Sequence, residues 1–299
     1  MVHNDNNYSS GAHSLEYFAQ YDSSISNGEA RMPICICIDT SRSMGFLIND
    51  DSELEYTGGK SQVDGSTVSY VKPKYSWVKL TQRIDQLKKV LSKMIDNMLS
   101  NEIISRSAVI CIVTFDQFAR CFMEFSDVNR LTPAMPNSLN LGRDVTNMAK
   151  GIEMALERLD RQVDMNALAG NDSYVPLLIF MSDGMATDGE AAERARREVR
   201  RRSDEGTLNV LPIGIGSSVS KQWLASMSHD NYCYQMERDN EFERVFSDIL
   251  TRVQQTTAMI ALDEGTMDKN IELEEDDVAN TLYGTNYESF LEDFINQEC

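Results

Sequence analysis

Four runs of apolar residues stand out along the chain: Met32–Ile38 ("MPICICI"), Ala108–Phe115 ("AVICIVTF"), Val175–Ser182 ("VPLLIFMS") and Leu208–Ile215 ("LNVLPIGI"). They are nearly continuous rather than alternating, which predicts strands buried on both faces, as in a parallel sheet. Between them the period changes. Over Val78–Leu99, the residues Leu80, Ile84, Leu87, Leu91, Ile95 and Met98 fall on one stripe and predict a helix. Further helices are expected over Asn147–Arg161 and over Glu190–Asp204, the latter closed by Gly206. Ala119–Phe125 follows the second run after a tight Asp116-Gln117 turn and is expected to pair antiparallel with it. A short helix (Lys221–Met227), a strand (Tyr232–Met236) and a helix (Glu241–Val253) complete the series.

Strands alternating with helices predict an α/β fold: a three-layer, doubly wound, Rossmann-like arrangement. Its central sheet is mostly parallel with one antiparallel edge strand, and helices cover both faces. Residues 1–29 are Asn/Ser/Gly-rich and read as a loose leader with one short helix near Leu15–Tyr21. Residues 46–76 are polar, contain Gly58-Gly59 and Gly65, and read as a long inserted loop in the domain spanning 30–254. Residues 255–299 form an acidic tail. Its "YESFLEDFI" places Tyr287, Phe290, Leu291 and Phe294 at helical spacing, which suits either a docking amphipathic helix or a solvated tail.

Composition sharpens the picture. Net charge is −19, of which residues 255–299 carry −11, from twelve Asp/Glu and one Lys. Such a surface repels nucleic acid and anionic membrane, and favours cationic partners or metal ions. Six cysteines show no C-x-x-C spacing, and Cys35, Cys37, Cys111 and Cys121 lie in strand-like runs. With only three His, structural zinc and a disulfide framework are not expected, and the thiols read as small buried hydrophobes. The opening "MVHNDNNYSSGAH" lacks the apolar core of a secretion signal, and no stretch approaches the ~18 apolar residues of a membrane span, so the expected location is cytoplasmic.

In an open α/β sheet, ligands bind beyond the carboxyl ends of the strands, where strand order reverses. Asp39-x-Ser41-x-Ser43 leaves the first strand, Asp183 leaves the strand "VPLLIFMS", and Thr146 precedes a helix. Were those strands neighbours, two carboxylates and three hydroxyls would face one crevice. An all-oxygen set suits a hard divalent cation, Mg²⁺ above all, with Mn²⁺ or Ca²⁺ as alternatives, and does not suit zinc.

At these residues the chain resembles the von Willebrand factor type A family. The carriers are "DTSRS" (Asp39, Ser41, Ser43), Thr146 in "GRDVTNMAKGIEMAL" and Asp183 in "FMSDGMATD", in order along residues 33–253. "MPICICIDTSRSM", "VICIVTFD" and "PLLIFMSDG" look most like bacterial cytoplasmic members associated with tellurite resistance. The resemblance implies a metal-ion-dependent adhesion site. In it Ser41 and Ser43 would ligate directly, Asp39 and Asp183 would act through waters, and Thr146 would ligate in one state. A carboxylate of a bound protein would fill the open position. Two features depart from the family: Arg42 stands where Gly is frequent, and residues 46–76 separate the serines from the following helix.

Plainer uses exist for each residue. Asp39 suits a turn cap, Ser41 a local backbone bond, and Thr146 an N-cap, with Asp144 a near alternative for either of Thr146's jobs. Asp116 is explained by its hairpin turn. The arginines Arg194, Arg196, Arg197, Arg200, Arg201 and Arg202 read as a solvated, salt-bridged helix face, and "GIGSS" (Gly214–Ser218) as a strand-to-helix turn.

The resulting expectation is a non-enzymatic protein-binding module that uses Mg²⁺ to bridge to an Asp or Glu of a partner. By resemblance, partners would belong to stress or metal-resistance systems, or to kinase and phosphatase assemblies. The alternative is a metal-dependent phosphohydrolase with Asp39 as nucleophile, although Ser41 stands where a second acid or base is wanted. A third reading has the acidic tail ligating its own metal until a partner displaces it.

Overall fold

The continuous apolar runs become strands in the computed structural model, which describes residues 30–236 apart from 50–52, 64–65, 78, 143–144, 185–186 and 217–219. In chain order the strands are β1 (Met32–Asp39), β2 (Leu54–Val63), β3 (Ser66–Pro73), β4 (Ala108–Phe115), β5 (Ala119–Asp127), β6 (Leu177–Ser182), β7 (Asn209–Ile215) and β8 (Tyr234–Met236). The helices are α1 (Arg83–Ser100), α2 (Glu102–Ser107), α3 (Met148–Leu168), α4 (Glu190–Asp204) and α5 (Lys221–Ala225).

Six strands form one sheet in the order β5-β4-β1-β6-β7-β8. Every pairing is parallel except β4 with β5, which makes β5 the antiparallel edge. The chain builds outward from β1 to β4 and β5, then returns to place β6 on the other side of β1. Strand order therefore reverses between β1 and β6, and a crevice opens beyond their carboxyl ends. Register sets Ile38 opposite Met181, so Asp39 comes level with Ser182 and Asp183 follows one residue further on.

Alternation along β1 divides the core. Ile34, Ile36 and Ile38 face one side, with Leu87, Leu91 and Ile95 of α1. Cys35 and Cys37 face the other, with Phe115, Phe180, Ile152 and Leu156. Burial pushes the Cys35 and Cys37 thiols up, so they act there as packing groups. No helix among the described residues is long and apolar enough to cross a membrane.

Several expected boundaries move. Helix α1 starts at Arg83, because residues 47 and 82 bridge and Ile48 N–H donates to Thr81 O at 3.0 Å. That extended segment takes Leu80 off the helical stripe. Helix α3 runs past Arg161 to Leu168, and β8 begins at Tyr234 rather than Tyr232. Helix α2, which lacks a full amphipathic period, was not expected; the Asn101 side chain caps it by accepting from Ile104 N–H at 3.0 Å.

The larger correction concerns residues 46–76. Most of this segment is the antiparallel hairpin β2–β3, not a loop. Asp64-Gly65 lies between the two strands, a dipeptide favoured in tight hairpin turns, and β-branched and aromatic residues flank it. Polar side chains along both strands hid the pairing. The expected helices near 15–21 and over 241–253, the tail 255–299 and Asp144 lie outside the described residues.

Helix α3 crosses β4 closely at Gly151, where an added Cβ would come within 2.6 Å of the Phe115 ring. Phe115 itself stacks on Phe180 with ring centroids 5.4 Å apart. For Gly151→Ala two effects oppose: helix propensity favours Ala by about 1 kcal/mol, whereas overpacking costs about 1–3 kcal/mol. With β4 and α3 both fixed by the core, packing wins. The variant is expected to lower the urea midpoint, and a raised midpoint would show that the contact is loose.

Candidate metal centre

The site begins where β1 runs out of partners. Thr40 prolongs the ladder, with its N–H donating to Phe115 O at 2.8 Å and its hydroxyl to the same oxygen at 3.1 Å. The chain then tightens into a 3₁₀ turn over Arg42–Gly45. Met44 plugs that turn into the core at 0 % exposure, which holds Ser41 and Ser43 on the opposite, crevice side.

Asp39 is fully buried and both its oxygens are engaged. Oδ1 accepts from Ser41 N–H at 2.8 Å, and Oδ2 accepts from the Ser182 hydroxyl at 2.7 Å. Ser41 Oγ and Ser43 Oγ lie 3.1 Å apart, and Ser43 Oγ donates to Asp183 Oδ1 at 2.7 Å. A connected set of side chains thus spans the β1–β6 crevice. Asp183 is buried too, and its Oδ2 accepts from Arg83 Nη1 at 2.7 Å. Of these groups Ser43 and Arg83 reach partial exposure.

Burial of two carboxylates has an electrostatic consequence. Desolvation, then the neighbouring Asp183 charge, pushes the Asp39 carboxyl up to about 7. The bonds from Ser41 and Ser182 act the other way without cancelling it. Positive charge at this point offsets both effects.

Thr146 belongs to a loop that two backbone bonds tie to the same strand ends. Gly142 N–H donates to Thr40 O at 2.6 Å, and Asn147 N–H donates to Asp116 O at 2.9 Å. Gly142 has to be glycine-sized, since a Cβ there would fall 2.1 Å from Asp116 Oδ2. Thr146 is not an N-cap: the Asn147 side chain caps α3 by accepting from Lys150 N–H at 3.2 Å. Its backbone is clasped by Thr187, whose N–H and hydroxyl both donate to Thr146 O, at 3.1 and 2.9 Å. The Thr146 side chain is buried, and its hydroxyl bonds to none of the described residues.

The sequence-derived set therefore divides. Asp39, Ser41, Ser43 and Asp183 are joined by hydrogen bonds, while Thr146 stands in the adjoining loop with a spare hydroxyl. Asp116 serves its hairpin, accepting from Phe118 N–H at 2.8 Å and from Arg120 at 3.0 Å. The arginines of α4 pair largely with carboxylates: Arg201 meets Glu198 and Glu205, and Arg202 meets Glu198 and Asp160.

Three contributors were not foreseen. Ser182 stands next to Asp183 in "FMSDG", and its place at a strand end was a readable signal. Asp188 binds the first turn of α3 through Met148 and Ala149 N–H, at 3.3 and 2.7 Å, and its "TDGE" context resembles a cap. Arg83 carried no sequence signal, because residues 44–82 separate it from the serines.

These residues fit a hard divalent cation. Hydroxyls of Ser41 and Ser43 stand side by side, two buried carboxylates lie behind them with one guanidinium between the pair and solvent, and the Thr146 hydroxyl is not bonded to any of the described residues. Among the described residues, no cluster of three or more His, Cys, Asp or Glu offers a competing metal site.

Comparison with known proteins gives the following. A sequence model of the von Willebrand factor type A domain matches residues 76–248. The PilB minor pilin from Streptococcus sanguinis superposes with a TM-score of 0.53 at 16 % identity, covering 79 % of this chain and 64 % of that one. A von Willebrand factor type A protein from Catenulispora acidiphila gives 0.47 at 14 % identity, covering 74 % and 42 %. Proximal thread matrix protein 1 from the mussel byssus, solved with a zinc occupied MIDAS motif, gives 0.46 at 14 % identity, covering 75 % and 48 %. This chain thus spans less than two thirds of each of those three. No curated protein sequence matches it.

Ser182→Ala tests the support beneath Asp39. It leaves a buried carboxylate one donor short, which is expected to cost about 1–3 kcal/mol of stability. Urea denaturation followed by circular dichroism would measure it. A loss indistinguishable from zero would mean that Asp39 does not depend on Ser182.

Proposed function

The chain belongs to the von Willebrand factor type A domain family, and from that premise we propose that it is a non-enzymatic protein-binding module with a metal-ion-dependent adhesion site. The observation that supports this reading is the hydrogen-bonded set Asp39–Ser41–Ser43–Asp183 at the crevice where strand order reverses.

The hydroxyls of Ser41, Ser43 and Thr146 are the proposed direct ligands. Asp39 and Asp183 orient them: Asp39 fixes the Ser41 backbone, and Asp183 accepts the Ser43 proton so that the serine lone pairs are free. The oxygen-only set favours Mg²⁺, with Mn²⁺ or Ca²⁺ as substitutes. When bound, such an ion supplies a hard position for an Asp or Glu carboxylate of a protein partner.

The β2–β3 hairpin is the proposed specificity element. Its stem closes beside the site, where Arg83 N–H donates to Phe46 O at 2.9 Å. The hairpin and the segment after it expose Tyr56, Tyr70, Tyr75 and Trp77, the last two stacked 4.7 Å apart. Aromatic surface with a polar edge is the kind that protein interfaces use. By resemblance, the setting we propose is a cytoplasmic stress or tellurite-resistance system, with a kinase or phosphatase among the partners. The acidic tail 255–299 is a proposed competitor for the open metal position.

The phosphohydrolase alternative draws little support. A nucleophilic Asp39 needs an exposed oxygen, whereas its side chain is buried and both oxygens accept hydrogen bonds.

The direct test is a titration of the full chain with Mn²⁺, read by paramagnetic resonance and displaced by Mg²⁺. One Mn²⁺ per chain is expected, with a loss of tenfold or more in Ser41→Ala/Ser43→Ala, since neither alanine can ligate. Absence of uptake by the intact chain would sink the proposal.

A further inference from the structure

Arg83 is the first residue of α1, yet it is built into the metal centre from four sides. Its backbone N–H donates to Phe46 O, just after the serine turn, at 2.9 Å. Its Nη1 pairs with Asp183 Oδ2 at 2.7 Å, with side-chain exposures of 11 % and 0 %. Its guanidinium lies 5.9 Å from the centroid of the Phe46 ring. At the end of β7, Gly216 has φ of 86°, and a Cβ there would come within 3.1 Å of the guanidinium carbon and Nε. A left-handed glycine thus leaves the room the guanidinium occupies. Arg83 Nε, by contrast, is buried with no hydrogen-bond partner among the described residues.

A guanidinium desolvated with one nitrogen unsatisfied is a costly group to retain for packing alone. What it does supply is one positive charge against two buried carboxylates. Both oxygens of Asp183 are then in use, Oδ1 by Ser43 and Oδ2 by Arg83. A divalent ion beside Ser43 would meet a fixed cation already holding the same carboxylate.

We infer that Arg83 is an internal counter-ion that competes with the divalent cation for Asp183. It holds the crevice in its folded arrangement without metal, and it lowers the affinity with which metal loads. This inference rests on the metal-site reading above and adds what sets the affinity of that site. Loading a divalent ion would require the guanidinium to loosen from Oδ2. The flanking Phe46 ring, itself exposed, marks the side that opens to solvent, whereas Nε is packed against Gly216.

The test compares the full chain with Arg83→Gln, Arg83→Met and Arg83→Lys. Gln keeps a donor without charge, Met removes both, and Lys keeps charge without the planar fork. Each protein is titrated with Mn²⁺ and melted in EDTA and in excess Mg²⁺. The uncharged variants are expected to bind Mn²⁺ about tenfold or more tightly than the unaltered chain, because close like charges repel strongly at a partly buried site. Arg83→Lys is expected to stay within about threefold of it. In EDTA the uncharged variants should melt several degrees lower, and Mg²⁺ should restore them more than it raises the unaltered chain, since only they lack a counter-ion. Equal Mn²⁺ affinity in the unaltered chain and in either folded uncharged variant would overturn the competition while leaving the metal site intact. No uptake by any of the four proteins would remove the metal-site reading itself, and this inference with it.

Discussion

The hydrogen bond from Ser43 to Asp183 joins the turn after β1 to the end of β6, and the placement of the site's other groups depends on it. Behind it lies a constraint set by parallel pairing. Neighbouring parallel strands that end at one level bring their terminal residues to one crevice, and here those include Asp39, the last residue of β1, and Asp183, the first after β6. Two carboxylates removed from water destabilise each other unless donors or cations answer them. Ser41, Ser182, Ser43 and Arg83 are the answers present in the chain, two per carboxylate.

The scaffold around this pair shows why a long insertion does not disturb it. The chain leaves the serine turn at Phe46 and returns at Arg83, where the backbones meet by two hydrogen bonds, Arg83 N–H to Phe46 O and Ile48 N–H to Thr81 O. In effect the short connection from turn to helix is kept and the hairpin is looped out from its middle. Closing a longer loop adds little entropy cost once its ends are pinned. Asn49 tightens the same stem by accepting from Thr81 N–H at 3.0 Å. The serine turn and the strand ends thus keep their places, while the exposed Tyr56 and Tyr70 are carried on a separate two-stranded sheet.

How much of this was legible follows from the kind of signal each part carries. The strands of the sheet core were readable because double-sided burial demands continuous apolar residues, as in "AVICIVTF" and "LLIFMS". The serines and the two aspartates were readable because strand ends in such a sheet are ligand positions, so polar residues there stand out against the apolar run before them. The β2–β3 hairpin was not, since its sequence shows no hydrophobic period, and Asp64-Gly65 alone did not outweigh the polar composition. Arg83 was hidden for a different reason. Its role depends on the stem that brings residue 83 beside residue 46, on the glycine at 216 and on the strand order that sets Asp183 opposite, and none of these is local in sequence. Thr146 lies between: its position before a helix was visible, but Asn147 takes the cap, and the clasp by Thr187 is a contact across 41 positions.

Charge at two length scales bears on the proposal that this acidic chain holds an acidic ligand. The net charge of −19 acts through solvent and is screened within a Debye length of about 8 Å at physiological salt. It slows the approach of an anionic partner without deciding what happens in the crevice. There the dielectric is low and three charges matter: Asp39, Asp183 and Arg83. With Arg83 alone the set is neutral at most, and with Asp39 ionised it is negative, so an incoming carboxylate finds no net attraction. A divalent ion added to the serine hydroxyls inverts the sign. On the proposed reading, the same burial that makes the carboxylate pair unfavourable by itself would make the site's sign, and with it recognition of a carboxylate, conditional on which cation it holds.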